Sequence, residues 1–265
     1  MKRRAKLYPI APGVTCIDDA GHSVCYVVCG SERAAVIDTV NGMEDLHAIV
    51  REITDLPLVV VNTHGHCDHI WGNTFFDEAY IHPDDVALHD LHFANRRMDA
   101  TPEQAKKYGA SLEELQAFID AQPCPLKPIR EGEVIDLGGR TLEVLKVAGH
   151  TQGSIVLLDR TAGFLYSGDA INGQVWLQLP ESTKLTTYLD SLNALDPYRP
   201  YFTELHTGHN VEGVPATYID EMKAAISHII DTNGEGDEDY AWFGGTAKRH
   251  MMRENTWVLY TPEKL

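Results

Sequence analysis

The chain has 265 residues, 43% of them hydrophobic, which is enough for one large domain with a sizeable core. Its formal net charge of −17 argues against nucleic acid as the main partner, because that binding leans on Lys and Arg against phosphates. Five cysteines, an odd number in a mid-sized chain, do not read as a disulfide framework, and no apolar run approaches membrane-spanning length, so a cytoplasmic protein without a membrane partner is expected.

The basic start Met1-Lys2-Arg3-Arg4-Ala5-Lys6 is not followed by a long apolar segment and does not read as a signal peptide. Residues 14–18, 24–29 and 34–37 are apolar and β-branched between Gly or polar breaks, and predict three short strands. Residues 43–51 carry Met43, Leu46 and Ile49/Val50 at helical spacing. The apolar run at 58–61 predicts a buried strand, and Ile81-His82-Pro83 ends another. From Pro83 the pattern turns helical. Thr101-Pro102 and the capping box Ser111-x-x-Glu114 start two helices, and Pro123, Pro125 and Pro128 stop the region. A helical insertion over about 83–128 is therefore expected within a single domain of residues 1–265.

A second β-rich run follows. Residues 134–137 and 141–147 flank the hairpin signal Gly138-Gly139, and residues 155–159 and 164–166 flank a turn at Thr161-Ala162-Gly163. Ser182 is placed to cap a helix carrying Leu185, Leu189 and Leu192; residues 201–205 read as a strand, 216–231 as a last helix and 256–260 as a final strand. The order β-rich then helical, met twice, suits two halves packed face to face. The segment 231–237 lacks the bidentate Glu of a calcium loop, since Trp242 stands there, and reads as a solvated acidic loop.

The chemistry concentrates in Thr63-His64-Gly65-His66-Cys67-Asp68-His69. Leaving the strand at 58–61 in extended form, His64 and His66 point to one side. Asp68 and His69 follow at a turn or helix start, so the segment offers ligand groups for two neighbouring metals. Three further candidates each follow a strand-like run: His150 in Gly149-His150, Asp169 in Gly168-Asp169 and His209 in Gly208-His209. Singly, a Gly-His or Gly-Asp pair is most often a turn; together they complete a set of imidazole and carboxylate ligands suited to Zn²⁺.

This order, His64-x-His66-x-Asp68-His69, Gly-His150, Gly-Asp169 and Gly-His209, resembles the metallo-β-lactamase fold hydrolases over about residues 14–210, and most nearly their glyoxalase II-like branch. The resemblance implies an α/β fold, a four-layer αβ/βα sandwich with metals at one edge of the paired sheets. It implies that His64, His66 and His150 hold one divalent ion, that Asp68, His69 and His209 hold the other, and that Asp169 bridges them. Zinc is the expected metal, with iron or manganese as alternatives. The expected reaction is hydrolysis of a small ester, thioester or lactone by a metal-bridging hydroxide, with Asp68 also orienting it. Asp38 stands where the family carries an acidic residue behind the ligands.

Two other readings use the same residues. A mononuclear iron dioxygenase acting on persulfides would need only His64, His150 and Asp169; Asp68, His69 and His209 argue for two metals. A metal-holding binding module would use the set without turnover. Asn172 stands where acyl-homoserine lactonases carry a tyrosine, which argues against that substrate. Cys67 and His206 read as packing residues, His82, His89 and His92 as ordinary histidines of the insertion, and Trp176, Leu177 and Leu179 as either core or the wall of an acyl pocket.

Overall fold

The computed structural model describes residues 4–95 and 101–265. The first half of the basic start, residues 1–3, and residues 96–100 of the expected insertion lie outside the described residues. Strands β1 (Lys6–Ala11), β2 (Val14–Asp18), β3 (Val24–Cys29) and β4 (Ala34–Ile37) form an antiparallel meander. Helix α1 (Leu46–Arg51) then carries the chain over to β5 (Leu58–Val61), which pairs parallel with β4. Helix α1 is shorter than its apolar spacing predicts, because Asp45 accepts the Ala48 amide and caps it two residues after Met43. The short helix α2 (Cys67–Ile70) leads to β6 (Ala79–Ile81), again parallel.

The expected insertion contains α3 (Val86–Ala94), α4 (Pro102–Tyr108) and α5 (Leu112–Asp120). Thr101 caps α4 and Ser111 forms the full capping box with Glu114, as the sequence predicts. The helical part ends at Asp120, before Pro128: residues Leu126–Pro128 form β7, the last strand of the first sheet. Proline is tolerated there because an edge strand has one side without a ladder partner.

The second sheet is built from β8 (Val134–Asp136), β9 (Thr141–Lys146), β10 (Ile155–Asp159) and β11 (Phe164–Gly168). After β12 (Gln174–Leu177) and helix α6 (Leu185–Asn193), the chain returns with β13 (Glu204–Thr207) parallel to β11, and β14 (Val214–Pro215) closes that edge. Helix α6 starts after Lys184 rather than at Ser182, whose hydroxyl instead donates to the His150 carbonyl. Helix α7 (Tyr218–Thr232) is followed by β15 (Glu238–Trp242), β16 (Gly245–Arg253) and β17 (Thr256–Tyr260). These three join β12 in a third sheet. The acidic stretch at 231–237 thus ends in a structural contact: Asp237 accepts from His250 Nδ1 and Tyr260 Oη, closing the hairpin onto β17.

Alternation along the strands makes the layers. Val14, Cys16, Tyr26 and Ile37 of the first sheet face Leu142, Val144, Leu157 and Tyr166 of the second, and this seam is the central core. Ile17, Cys25, Val27 and Val36 point the other way, onto Leu46, Ile49 and Val50 of α1. Val156, Leu158 and Leu165 pack on Leu185, Tyr188, Ile219, Met222 and Ile226 of α6 and α7. The order helix, sheet, sheet, helix is the four-layer sandwich.

One buried ion pair ties the two sheets at the end remote from the strand termini that carry the candidate ligands. Arg140, just before β9, donates twice to Asp159 Oδ2, at 2.5 and 2.9 Å, and reaches across to the carbonyl of Pro12 at 3.1 Å. Asp159 uses its other oxygen for the amides of Thr161 and Ala162 in the following turn. Removing one partner strands a charge inside the protein. Arg140→Ala is expected to lower the free energy of unfolding by about 3–5 kcal/mol, measured by urea denaturation, while bound metal per folded chain stays the same.

Candidate metal centre

All seven expected ligands meet at one edge of the sandwich. His64 and His66 leave β5, and Asp68 and His69 lie on α2. His150 follows β9, Asp169 follows β11 and His209 follows β13. Among the described residues, ligand atoms of His64, His66 and His150 lie within 4.8 Å of one another, and those of Asp68, His69 and His209 form a second such group. Asp169 Oδ2 stands between them: 3.8 Å from His150 Nε2, 3.6 Å from His69 Nε2 and 3.0 Å from His209 Nε2. Gly168 permits this approach. It turns with φ +50°, and a Cβ there would lie 2.4 Å from Thr63 Oγ1, beside the His64 backbone.

A family model described as the metallo-beta-lactamase superfamily matches residues 18–225. The chain belongs to that superfamily. A protein named acyl-coenzyme A thioesterase MBLAC2 from Gallus gallus is 31% identical over 234 residues, covering 78% of this chain and 81% of that protein. Hydroxyacylglutathione hydrolase GloC from Haemophilus influenzae is 28% identical over 150 residues, covering 56% and 66% of the two chains. Among solved structures, TTHA1623 in a di-iron-bound form superposes with a TM-score of 0.54 at 26% identity, over 73% of this chain and 89% of that one. A metallo-beta-lactamase from Pontibacter korlensis gives 0.61 at 16% identity, over 84% and 99%, which speaks to the fold. With these relatives, this member of the superfamily is a metal-dependent hydrolase.

The arrangement fits cations. His64 Nε2 and His69 Nε2 are buried without a hydrogen-bond partner among the described residues, a costly state unless an ion takes the lone pair. Each candidate imidazole has its other nitrogen held from behind, as metal-binding histidines generally do. His69 Nδ1 meets Asp38 Oδ2 at 2.8 Å, His150 Nδ1 meets the Trp176 carbonyl at 2.8 Å, and His209 Nδ1 meets the His22 carbonyl at 2.7 Å. His64 Nδ1 lies 3.0 Å from Thr63 Oγ1, which itself donates to Asp38. His66 Nδ1 faces His150 Nε2 at 2.8 Å, while its Nε2 meets Glu181 at 2.7 Å.

The charges divide the site in two. Burial and the facing imidazoles hold His64 well below the ordinary histidine range, and burial with His66 brings His150 down to about 4. Both are neutral at pH 7, the form that ligates metal. On the other side burial opposes the charging of His69, but Asp68, Asp169 and Asp38 outweigh it and raise it well above its usual range. Asp169 raises His209 to about 9. Burial opposes the ionisation of Asp169, yet His209 and His69 hold it ionised. Protons here compensate carboxylates that divalent cations would compensate better.

Two residues the sequence reading did not single out complete the frame. Asp85, buried at the end of β6, accepts from the Gly65 amide at 2.8 Å, the Gly153 amide at 2.7 Å and Thr151 Oγ1 at 2.7 Å. It therefore fastens the His64–His69 loop to the His150 loop. Its sequence context, His82-Pro83-Asp84-Asp85, signals only an acidic helix start. Glu181 lies in a loop with no pattern to mark it. Asp38 takes the role the resemblance implied: it accepts from Thr63 N, Thr63 Oγ1 and His69 Nδ1, and holds a left-handed backbone at φ +63° to do so.

The cluster opens into a cavity of about 800 Å³. Cys67, His92, Asn172, Trp176 and Leu179 line it. Leu177 instead lies in the core, and His206 packs among Tyr26, Phe164 and Tyr166 away from the cavity. His82 caps a short turn by accepting the Asp84 amide, and His89 is buried against Asn73. Asp38→Ala frees His69 and Thr63 together. It is expected to weaken metal binding about 10–100-fold, measured by competition with a chromophoric chelator.

Proposed function

We propose that the chain is a dinuclear metallohydrolase that cleaves a small acyl thioester. The observation that carries this is Asp169, whose carboxylate lies within reach of imidazoles from both ligand groups. His64, His66 and His150 would hold one ion, Asp68, His69 and His209 the other, and Asp169 both. Zinc suits this set of imidazole and carboxylate donors. When bound, the ions supply Lewis acidity and lower the pKa of water towards neutrality.

The chain's own residues supply the rest. Asp68 is partly exposed in the cavity, so its carboxylate can both ligate and take up a proton from the attacking water. Asp38, Trp176 and His22 fix the imidazole tautomers through the contacts above. Burial, and then His66, lowers His92 to about 4, so it meets substrate as a neutral donor or acceptor rather than as an acid. A thiol leaving group suits such a cavity: with an ordinary pKa near about 8.5 it departs without full protonation, unlike an alkoxide. The names of two relatives describe acyl groups on thiol carriers, which supports a thioester over the ester and lactone alternatives.

The test is metal analysis of the purified protein followed by a panel of acyl thioesters, with thiol release as the readout. Two divalent ions per chain and thioester turnover are expected. Asp169→Ala should lower kcat by about 10²–10³-fold, the scale of losing a principal electrostatic group. One iron per chain with oxygen consumption on a persulfide would instead support the dioxygenase reading. Metal-loaded protein inert on every substrate would support a binding module.

A further inference from the structure

The family match ends at residue 225, yet part of the cavity wall comes from residues beyond it. Strands β15 and β16 form a hairpin whose two-residue turn is Phe243-Gly244, with Trp242 paired to Gly245. A Cβ at position 244 would lie 2.2 Å from the Trp242 ring. Glycine there lets the indole fold back over the turn, towards the cavity. Trp242 meets Trp176 with ring centroids 5.9 Å apart, and Phe243 lies 4.8 Å from Trp242 and 5.9 Å from Trp176. Trp176 is the residue whose carbonyl holds His150. A continuous apolar path therefore runs from a candidate ligand to the hairpin tip, with Leu179 beside it.

Phe243 is 89% exposed, the most exposed large apolar side chain among the described residues. Nothing in the packing of the third sheet needs a phenyl ring there. With Trp242 and Trp176, Phe243 makes one contiguous apolar face lining the cavity, the kind of surface that an apolar ligand covers. The lining at the other end of β16 from the hairpin tip is different in kind: Arg253, over the Tyr218 ring at 5.1 Å, with Asn255 and Thr256.

We infer that Trp176, Trp242 and Phe243 form the acyl-chain subsite, and that the hairpin sets a preference for long apolar acyl groups over short ones. This rests on the thioester reading for the reaction but not for the binding. The acyl chain would lie along Trp176 to the tip, leaving the thiol carrier on the polar side. Each buried methylene is worth about a fourfold gain in binding, so chain length is the natural variable.

The probes are N-acetylcysteamine derivatives, whose short acetamidoethyl part is the same in each, so that only the chain varies. S-decyl-N-acetylcysteamine, a thioether that cannot be hydrolysed, and its S-methyl analogue are titrated against metal-loaded protein by calorimetry. The decyl compound should bind at least about tenfold more tightly. The Trp242→Ala/Phe243→Ala variant should lose that difference, and Trp242→Phe/Phe243→Leu should keep most of it. Melting temperatures of both variants establish that the hairpin change leaves the fold intact. For turnover, kcat/KM on the decanoyl thioester should fall at least about tenfold in the alanine variant, with the acetyl thioester changed less than about twofold. Equal binding of decyl and methyl compounds to the wild type, or an unchanged preference in the alanine variant, would overturn the inference. Selective decyl binding without turnover of either thioester would uphold the subsite and overturn the thioesterase reading.

Discussion

Everything at this edge of the sandwich depends on one carboxylate held ionised where burial opposes it. Asp169 lies against His209, His69 and His150, largely buried, with its remaining exposed surface on the cavity. A buried anion of this kind is tolerable only beside positive charge. The histidines supply it as protons on one side of the site, and divalent ions would supply it on both. The same electrostatic demand explains why the ligands come from strand termini of both sheets. A single loop cannot surround the anion, whereas two packed sheets present their ends on opposite sides of it.

That geometry needs a rigid frame, and the frame is polar. Asp38 joins β4 to the metal loop through Thr63 and His69, and Asp85 joins the metal loop to the His150 turn. Both are buried carboxylates with three donors each, so neither carries unmet hydrogen-bonding demand. Asp85 acts between the two halves at the site edge as Arg140 and Asp159 do at the opposite edge. The apolar seam between the sheets has no preferred register of its own; polar contacts at its two ends supply one.

The gathering of these seven candidate ligands was legible in the sequence because metal chemistry restricts residue type and spacing together. His64, His66, Asp68 and His69 stand within six residues, and each distant partner follows an apolar strand and a glycine. Strands β2 to β5, β10 and β11 were legible for a related reason: mostly buried, they read as apolar runs bounded by turns, while β8 and β9 were marked by the Gly138-Gly139 hairpin signal between them. The supporting residues were not. Asp85 and Glu181 act through contacts made across 20 to 115 positions of chain, and nothing local distinguishes them from surface acids. Of the third sheet only β17 was legible, and the hairpin beside it escaped for the opposite reason. β15 and β16 are mostly polar and half exposed, so their alternation carries little apolar signal, and the acidic stretch before them reads as loop. Ser182 misled because a hydroxyl ahead of an apolar helix looks like a cap, while the His150 carbonyl was the stronger claim on it.

These two kinds of legibility correspond to two kinds of work. Residues that ligate or orient cations are confined by coordination chemistry, so they are shared across a superfamily whose members act on different substrates. Residues that distinguish those substrates need only offer the right surface, and they can sit on any segment that reaches the cavity. In this chain the segment we infer for that part is a polar hairpin beyond residue 225, tipped by an exposed phenylalanine and tied down by Asp237 to His250 and Tyr260. Because those ties lie at the base of the hairpin and the aromatic rings at its tip, the tip can change without disturbing either the third sheet or the ligands. On the subsite we infer, selectivity for an acyl group would be separable from the chemistry of the candidate metal edge, with Trp176 as the one residue that belongs to both.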